Sequence, residues 1–248
     1  MAGHSKWANI KHRKAAQDAK KGKVFTKIAR ELTVAAKQGG GDPDANSRLR
    51  LALDKARSAN MPRDNVERAI KKGTGAGSEQ NFEDIMYEGY GPGGVAILVQ
   101  VLTDNRNRSI TEVRTVITKR GGSMAEAGSV SWQFEMKGLI EIEADKANEE
   151  MVMEIALEAG AEDFQSDGDL YTITTEPTDF ESIRKAIEDK NIPLSYAEVT
   201  MKPKTTIQVD ASDAKKIIGI VDALEDLDDV QEVFGNYEID DAVLEEMD

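Results

Sequence analysis

The spacing of apolar residues divides the chain into a helical first third and a mixed remainder. Residues 5–21 contain no Gly or Pro and are rich in Ala, Lys and Arg, with Trp7 and Ile10 as the only large apolar side chains. They predict a helix with too little apolar surface to bury, which lies on a surface until a polyanion orders it. Over residues 23–37, Phe25, Ile28, Ala29, Leu32, Ala35 and Ala36 recur at helical spacing and form one stripe. Gly39-Gly40-Gly41 ends this second helix. Asp42 as N-cap and Pro43 in the first turn predict a third, which carries Leu49, Leu51, Ala52, Leu53 and Ala56. Met61-Pro62 breaks it. A fourth, with Val66, Ala69 and Ile70, stops at Gly73. The sum is a small antiparallel helical bundle. Residues 73–81, GTGAGSEQN, read as a linker.

Beyond the linker, strand and helix periods alternate. Strands are predicted at 94–102, 129–134, 138–144, 163–166, 170–175, 194–201, 205–209 and 230–237. Helices are predicted at 109–120, with Ile110, Val113 and Ile117 on one side, and at 148–159, 180–189 and 211–227. Residues 137–203 alone give the order βαββαβ. With them removed, the flanking pieces 94–135 and 204–237 give the same order, the split-βαβ arrangement. The expected class is α+β multidomain: an N-terminal helical bundle followed by two ferredoxin-like βαββαβ domains, one inserted in the other. The boundaries are 1–78 for the basic helical domain, 79–136 with 204–248 for the discontinuous domain, and 137–203 for the insert. Joints are expected at Met136-Lys137 and Lys202-Pro203. The alternative is one larger mixed sheet.

Charge sharpens this division. The net charge of −14 is the sum of two opposed parts. Residues 1–75 hold 18 Lys and Arg against 7 Asp and Glu, a net +11, while the rest holds 14 against 39, a net −25. A cationic module on an anionic body points to a nucleic-acid partner. Within residues 1–23 seven of the eight charges are positive: Lys6, Lys11, Arg13, Lys14, Lys20, Lys21 and Lys23, with Trp7 and His12 interleaved. Such an arm suits phosphate contact, each neutralised phosphate adding about 0.7–0.9 to the salt slope. Trp7 serves either to stack on a base or to anchor the arm in a core. Arg106 and Arg108, in Thr103-Asp104-Asn105-Arg106-Asn107-Arg108, stand out in the acidic part. With Arg114, Lys119 and Arg120 they either extend the basic face or belong to an ordinary capped turn, with Asn107 or Ser109 as N-cap.

Other chemistry is thin. There is no cysteine, which excludes disulfides and thiolate sites. His4 and His12 are eight apart, not the four that two helical ligands need, so no metal is expected. Gly89-Tyr90-Gly91-Pro92-Gly93-Gly94 precedes a strand, whereas phosphate loops follow one. It reads as a turn into an edge strand, with a close backbone approach to something. The loop Gly121-Gly122-Ser123-Met124-Ala125-Glu126-Ala127-Gly128 is a partner contact or a connector. The run Glu225-Asp226-Leu227-Asp228-Asp229 reads as solubilising charge, with weak Mg²⁺ binding as its other use. No GxSxG, HExxH or Walker sequence is present, and neither catalysis nor a cofactor is expected. No apolar run is long enough to span a membrane and no secretory leader opens the chain, so a cytoplasmic protein without a membrane partner is expected.

Gly3-His4-Ser5-Lys6-Trp7, Ile10-Lys11-His12-Arg13-Lys14, Tyr87-Glu88-Gly89-Tyr90-Gly91-Pro92-Gly93-Gly94, Leu102-Thr103-Asp104-Asn105-Arg106-Asn107-Arg108 and Val233-Phe234-Gly235-Asn236-Tyr237 together resemble the YebC/PmpR family. The resemblance spans essentially the whole chain. It implies a helical N-terminal domain with two α+β domains, one discontinuous, and no catalytic residue or cofactor. It also implies a DNA-binding transcriptional regulator. Similar proteins include mitochondrial translational activators of cytochrome c oxidase and bacterial members linked to stalled ribosomes, so an RNA- or ribosome-binding translation factor is the alternative. A third reading is an interaction module whose acidic body takes a basic partner. The residues show no helix with clustered base-reading side chains and no dimer element, so a monomer contacting structured RNA or DNA through phosphates is expected.

Overall fold

The computed structural model describes residues 21–75 and 82–240. They form two units, one of residues 21–129 and 212–233, the other of residues 130–211 and 234–240.

The first unit opens with α1 (Lys21–Gly39), α2 (Ser47–Ser58) and α3 (Arg63–Thr74). The apolar stripe predicted for α1 is its buried face. Leu32, Ala35 and Ala36 pack with Leu49, Ala52 and Ala56 of α2 and Ala69 of α3. Small residues let the axes come close. A Cβ on Gly73 would lie 2.3 Å from the Thr33 carbonyl, so this glycine is a contact inside α3 and not its stop. The cap of α2 is Asn46, not Asp42. Its side chain accepts from the Leu49 N–H at 3.0 Å and donates to the carbonyls of Ala35 and Gly40, both at 2.8 Å. One buried amide thus closes α1 and opens α2.

The same unit holds β1 (Glu83–Tyr90), β2 (Ala96–Thr103), α4 (Arg106–Lys119), β3 (Ser123–Met124), α7 (Ala211–Glu225), whose first residue belongs to the other unit, and β9 (Val230–Gly235), whose last two residues do. The strand order is β3-β1-β2-β9. β2 is therefore an interior strand, not an edge, which explains its nearly unbroken apolar run. The sequence pattern predicts no strand before residue 94, yet β1 pairs with β2 along its whole length, from Glu83↔Thr103 to Tyr90↔Ala96. Three acids and a glycine in β1 give weak local preference for strand, and pairing with β2 imposes it. The turn between them needs positive φ at Gly93 and Gly94, 69° and 79°. The close approach forecast for this glycine-rich segment is to backbone: a Cβ on Gly89 would meet the Ser123 carbonyl at 2.9 Å. The 121–128 loop accordingly carries β3, and the Glu88 carboxylate accepts from the Gly128 N–H at 2.7 Å. α4 begins earlier than predicted, because Asn105 caps it, accepting from the Arg108 N–H at 3.1 Å.

The second unit is built on β4 (Phe134–Glu143), α5 (Glu149–Glu158), β5 (Asp163–Ser166), β6 (Leu170–Thr175), α6 (Phe180–Glu188) and β7 (Tyr196–Pro203). Its antiparallel sheet has the order β5-β6-β4-β7, the ferredoxin-like order expected for residues 137–203. Ile140, Ile142 and Ile173 pack with Val152 and Ala156 of α5 and with Ile183 and Ile187 of α6. Residues 129–134 do not form the predicted strand, and residues 131–133 are a 3-10 turn. Their apolar alternation is not one face, since Trp132 is 66% exposed while Val130 and Phe134 are buried. The expected joints at Met136-Lys137 and Lys202-Pro203 fall inside β4 and β7, which pair there as Glu135↔Lys202 and Met136↔Met201. Of the strand predicted at 205–209, only β8 (Ile207–Gln208) pairs, in parallel with β10 (Tyr237–Glu238). The flanking sheet is therefore not βαββαβ in detail, whereas the α+β class and the helices predicted after residue 21 stand as expected; the helix expected at 5–21 lies outside the described residues.

Candidate nucleic-acid interface

In the first unit, α1, α3 and the turns after β2 and α7 surround a cleft of about 1060 Å³. Asp229 lies at its base, its side chain 4% exposed. Oδ2 accepts from Thr103 Oγ1 at 2.8 Å, Ser109 Oγ at 2.8 Å and Arg108 Nη2 at 2.7 Å, and Oδ1 accepts from Arg30 Nη1 at 3.0 Å. Burial works against the charged form, yet hydrogen bonds from Arg108, Ser109 and Thr103 hold the carboxyl below the usual carboxylate range. Four side chains from three elements thus converge on one buried charge.

The acidic run beside it has the same role. Lys23 Nζ donates to the Asp226 carbonyl at 3.1 Å, Lys27 Nζ to the Glu225 carbonyl at 2.6 Å, and Arg30 to the Asp228 carbonyl at 2.7 Å. These carbonyls lie at and just beyond the C-terminus of α7, where unpaired acceptors and the helix dipole attract cations. Burial pushes the Lys27 amine down to about 8, against the pull of Glu225 and Asp226. Arg30 also stacks over the Phe82 ring, 5.4 Å from its centroid. The run read as solubilising charge is instead the surface on which α1 is held.

The basic residues singled out in the sequence therefore have different environments. Lys6, Trp7, Lys11, His12, Arg13, Lys14 and Lys20 lie outside the described residues, and Lys21 opens α1. Lys23 and Arg108 are engaged by acids, Arg108 with Asp104 at 2.9 Å as well as with Asp229. Arg106 is exposed, and its carbonyl accepts from Tyr87 Oη at 3.3 Å. Sequence reasoning missed Arg50 on α2 and Arg68 and Lys71 on α3, which are exposed and make no ion pair among the described residues. Arg68 and Lys71 are three apart and share a face. Their signal was available: each occupies a polar position beside the apolar stripe of its own helix. Arg48, by contrast, is held by Glu31 and Asp84, both at 2.7 Å.

Residues 5–76 match the family model described as the TACO1/YebC protein N-terminal domain, and residues 82–237 the model described as the TACO1/YebC second and third domain. A relative from Natranaerobius thermophilus, named a probable transcriptional regulatory protein, is 54% identical over 248 residues, covering 99% of each chain. One from Rubrobacter xylanophilus with the same name is 51% identical over 248 residues, covering 100% of this chain and 99% of its own. The crystal structure of a conserved hypothetical protein, Aq1575 from Aquifex aeolicus, is similar with a TM-score of 0.80 at 47% identity. It covers 90% of this chain and 93% of that one.

Proposed function

Since the chain belongs to the TACO1/YebC family, whose relatives carry the name of probable transcriptional regulatory proteins, we propose that it regulates gene expression by binding DNA through its basic first third. The observation that carries this reading is the charge split, a net +11 on residues 1–75 against −25 on the rest. The arm residues Lys6, Lys11, Arg13, Lys14, Lys20 and Lys21, with Trp7 and His12 among them in sequence, supply phosphate contacts, Lys23 joins them only by leaving Asp226, and Arg50, Arg68 and Lys71 add further exposed cations. Arg106 adds a contact, while Arg108 reaches the ligand only with the part of its guanidinium that Asp229 leaves exposed. The protein works as a cytoplasmic monomer without catalysis. No helix among the described residues is long and apolar enough to cross a membrane.

The test is a filter-binding titration at low salt with Lys11→Glu, Arg13→Glu and Lys14→Glu combined. Binding is lost while far-ultraviolet circular dichroism is unchanged. Unchanged binding refutes the arm as the contact. Crosslinking in cells followed by sequencing names the polymer: promoter DNA is expected, and ribosomal RNA in its place overturns the DNA reading in favour of a translation factor.

A further inference from the structure

The acidic part of the chain carries one helix of opposite charge. α4 holds Arg106, Arg108, Arg114 and Lys119, with Arg120 at its C-cap, against the single acid Glu112. These are five of the 14 Lys and Arg found after residue 75. Only Arg108 is neutralised, by Asp104 and Asp229. The other four are exposed and make no ion pair among the described residues. An ordinary solvated helix in a body of net −25 would mix signs. Cations in a first turn also oppose the helix dipole, so Arg106 costs stability that its own fold does not return.

The remainder of the exposed face matches this charge. Asn107, Thr111, Arg114 and Thr118 fall at i, i+4, i+7 and i+11, a single stripe that avoids the buried Ser109, Val113 and Ile117. Thr111, Thr115 and Thr118 each donate their hydroxyl proton to the carbonyl four residues back, at 2.7 Å. Their oxygen lone pairs are left facing outwards as acceptors. The stripe therefore offers donors from Asn107 and Arg114 and acceptors from the threonines, without a carboxylate to repel phosphate. Its backing is stiff, because Val113 and Ile117 are buried and the helix start is tied to Asp229. Arg120 reaches across to α7, its Nε 3.9 Å from where a Cβ on Gly219 would stand. Lys215, exposed one turn earlier on α7, extends the positive surface, while Lys216 beside it is paired with Asp213 at 3.0 Å.

We propose that the solvent face of α4 is a second nucleic-acid contact, in which Arg106, Arg114 and Lys119 take phosphates and the Asn107–Thr111–Thr118 stripe faces the sugar or base edges. The proposal rests on the nucleic-acid-binding reading and adds to it a rigid contact within the acidic body. It gives the interaction a second contact, on a helix held by the fold.

The experiment uses the full chain with Arg114→Gln and Lys119→Gln combined, and separately Thr111→Val, each titrated with a fluorescent DNA duplex over a range of salt. Loss of two phosphate contacts on a duplex lowers the salt slope by about 1.8 and weakens binding by about 10- to 100-fold near physiological salt. Thr111→Val weakens binding several-fold without changing the slope, because it removes an acceptor and no charge. Circular dichroism confirms folding, and Arg114→Lys with Lys119→Arg restores the slope. An unchanged slope and affinity in the glutamine variant overturns the proposal. If the arm variant with Lys11, Arg13 and Lys14 reversed still loses binding in that case, the α4 contact alone has failed. If the unaltered protein binds no duplex, the DNA-binding reading has failed with it.

Discussion

Replacing Glu141 by Leu should stabilise this protein at neutral pH, by an amount that the structure sets. Glu141 lies on β4, opposite Thr172 of β6 and Tyr196 of β7, between Ile140 and Ile142, which face the core. It is 1% exposed, and neither carboxyl oxygen has a hydrogen-bond partner. Burial alone pushes its carboxyl up from 4.5 to about 8. The folded protein then keeps a proton that the unfolded chain releases. Because the folded value lies above the unfolded one for an acid, stability falls as pH rises through the window from 4.5 to about 8. At 1.36 kcal/mol for each unit of separation, the loss between about pH 5 and about pH 7.5 is roughly 3 kcal/mol. Leu has similar volume and no titration, so the variant lacks this slope. Urea unfolding of both proteins at the two pH values isolates the effect, since every other group titrates alike in each. The stability gap between variant and wild type should widen by roughly 3 kcal/mol at the higher pH. A gap that stays constant, or a variant that is less stable at about pH 7.5 than at about pH 5 relative to wild type, refutes a buried neutral carboxyl.

Two further outcomes follow from packing. Gly73→Ala places a Cβ 2.3 Å from the Thr33 backbone carbonyl and 2.8 Å from the Ala36 Cβ, so α1 and α3 must move apart. Thermal unfolding should show a loss of about 1–3 kcal/mol, and an unchanged midpoint would mean that the helices are not in contact there. Asp229→Asn removes the charge that Arg30 and Arg108 share and leaves an amide donor facing hydroxyl and guanidinium donors. A loss of about 2 kcal/mol is expected, at the modest end because Arg108 still reaches water, and urea titration measures it.

Much of the fold was legible because its causes are local. The α1 stripe, the break at Met61-Pro62, the order of elements over residues 137–203 and the change of charge sign near residue 75 all lie within short windows. Where reasoning from local pattern failed, the deciding partner was distant in sequence. Asp42 is a good cap by residue type, but Asn46 is the cap because its amide also reaches the Ala35 and Gly40 carbonyls. Residues 83–90 look like loop until β2 pairs with them, and residues 129–134 look like strand until Trp132 proves exposed. The candidate interface was half legible. A sequence shows how many cations a segment has, and only coordinates show which of them are already neutralised.

The arm and its charge, the helical first third, the α+β remainder and the family are properties of the sequence alone, since composition, period and motif need no partner. Tertiary structure decided which basic residues remain available. Arg108 and Arg106 are two apart on one helix, yet Arg108 faces Asp229 across 121 residues of chain and Arg106 faces solvent. The physical reason is that a charge is tuned by what lies within a few ångströms, and in a folded chain those neighbours come from anywhere in the sequence.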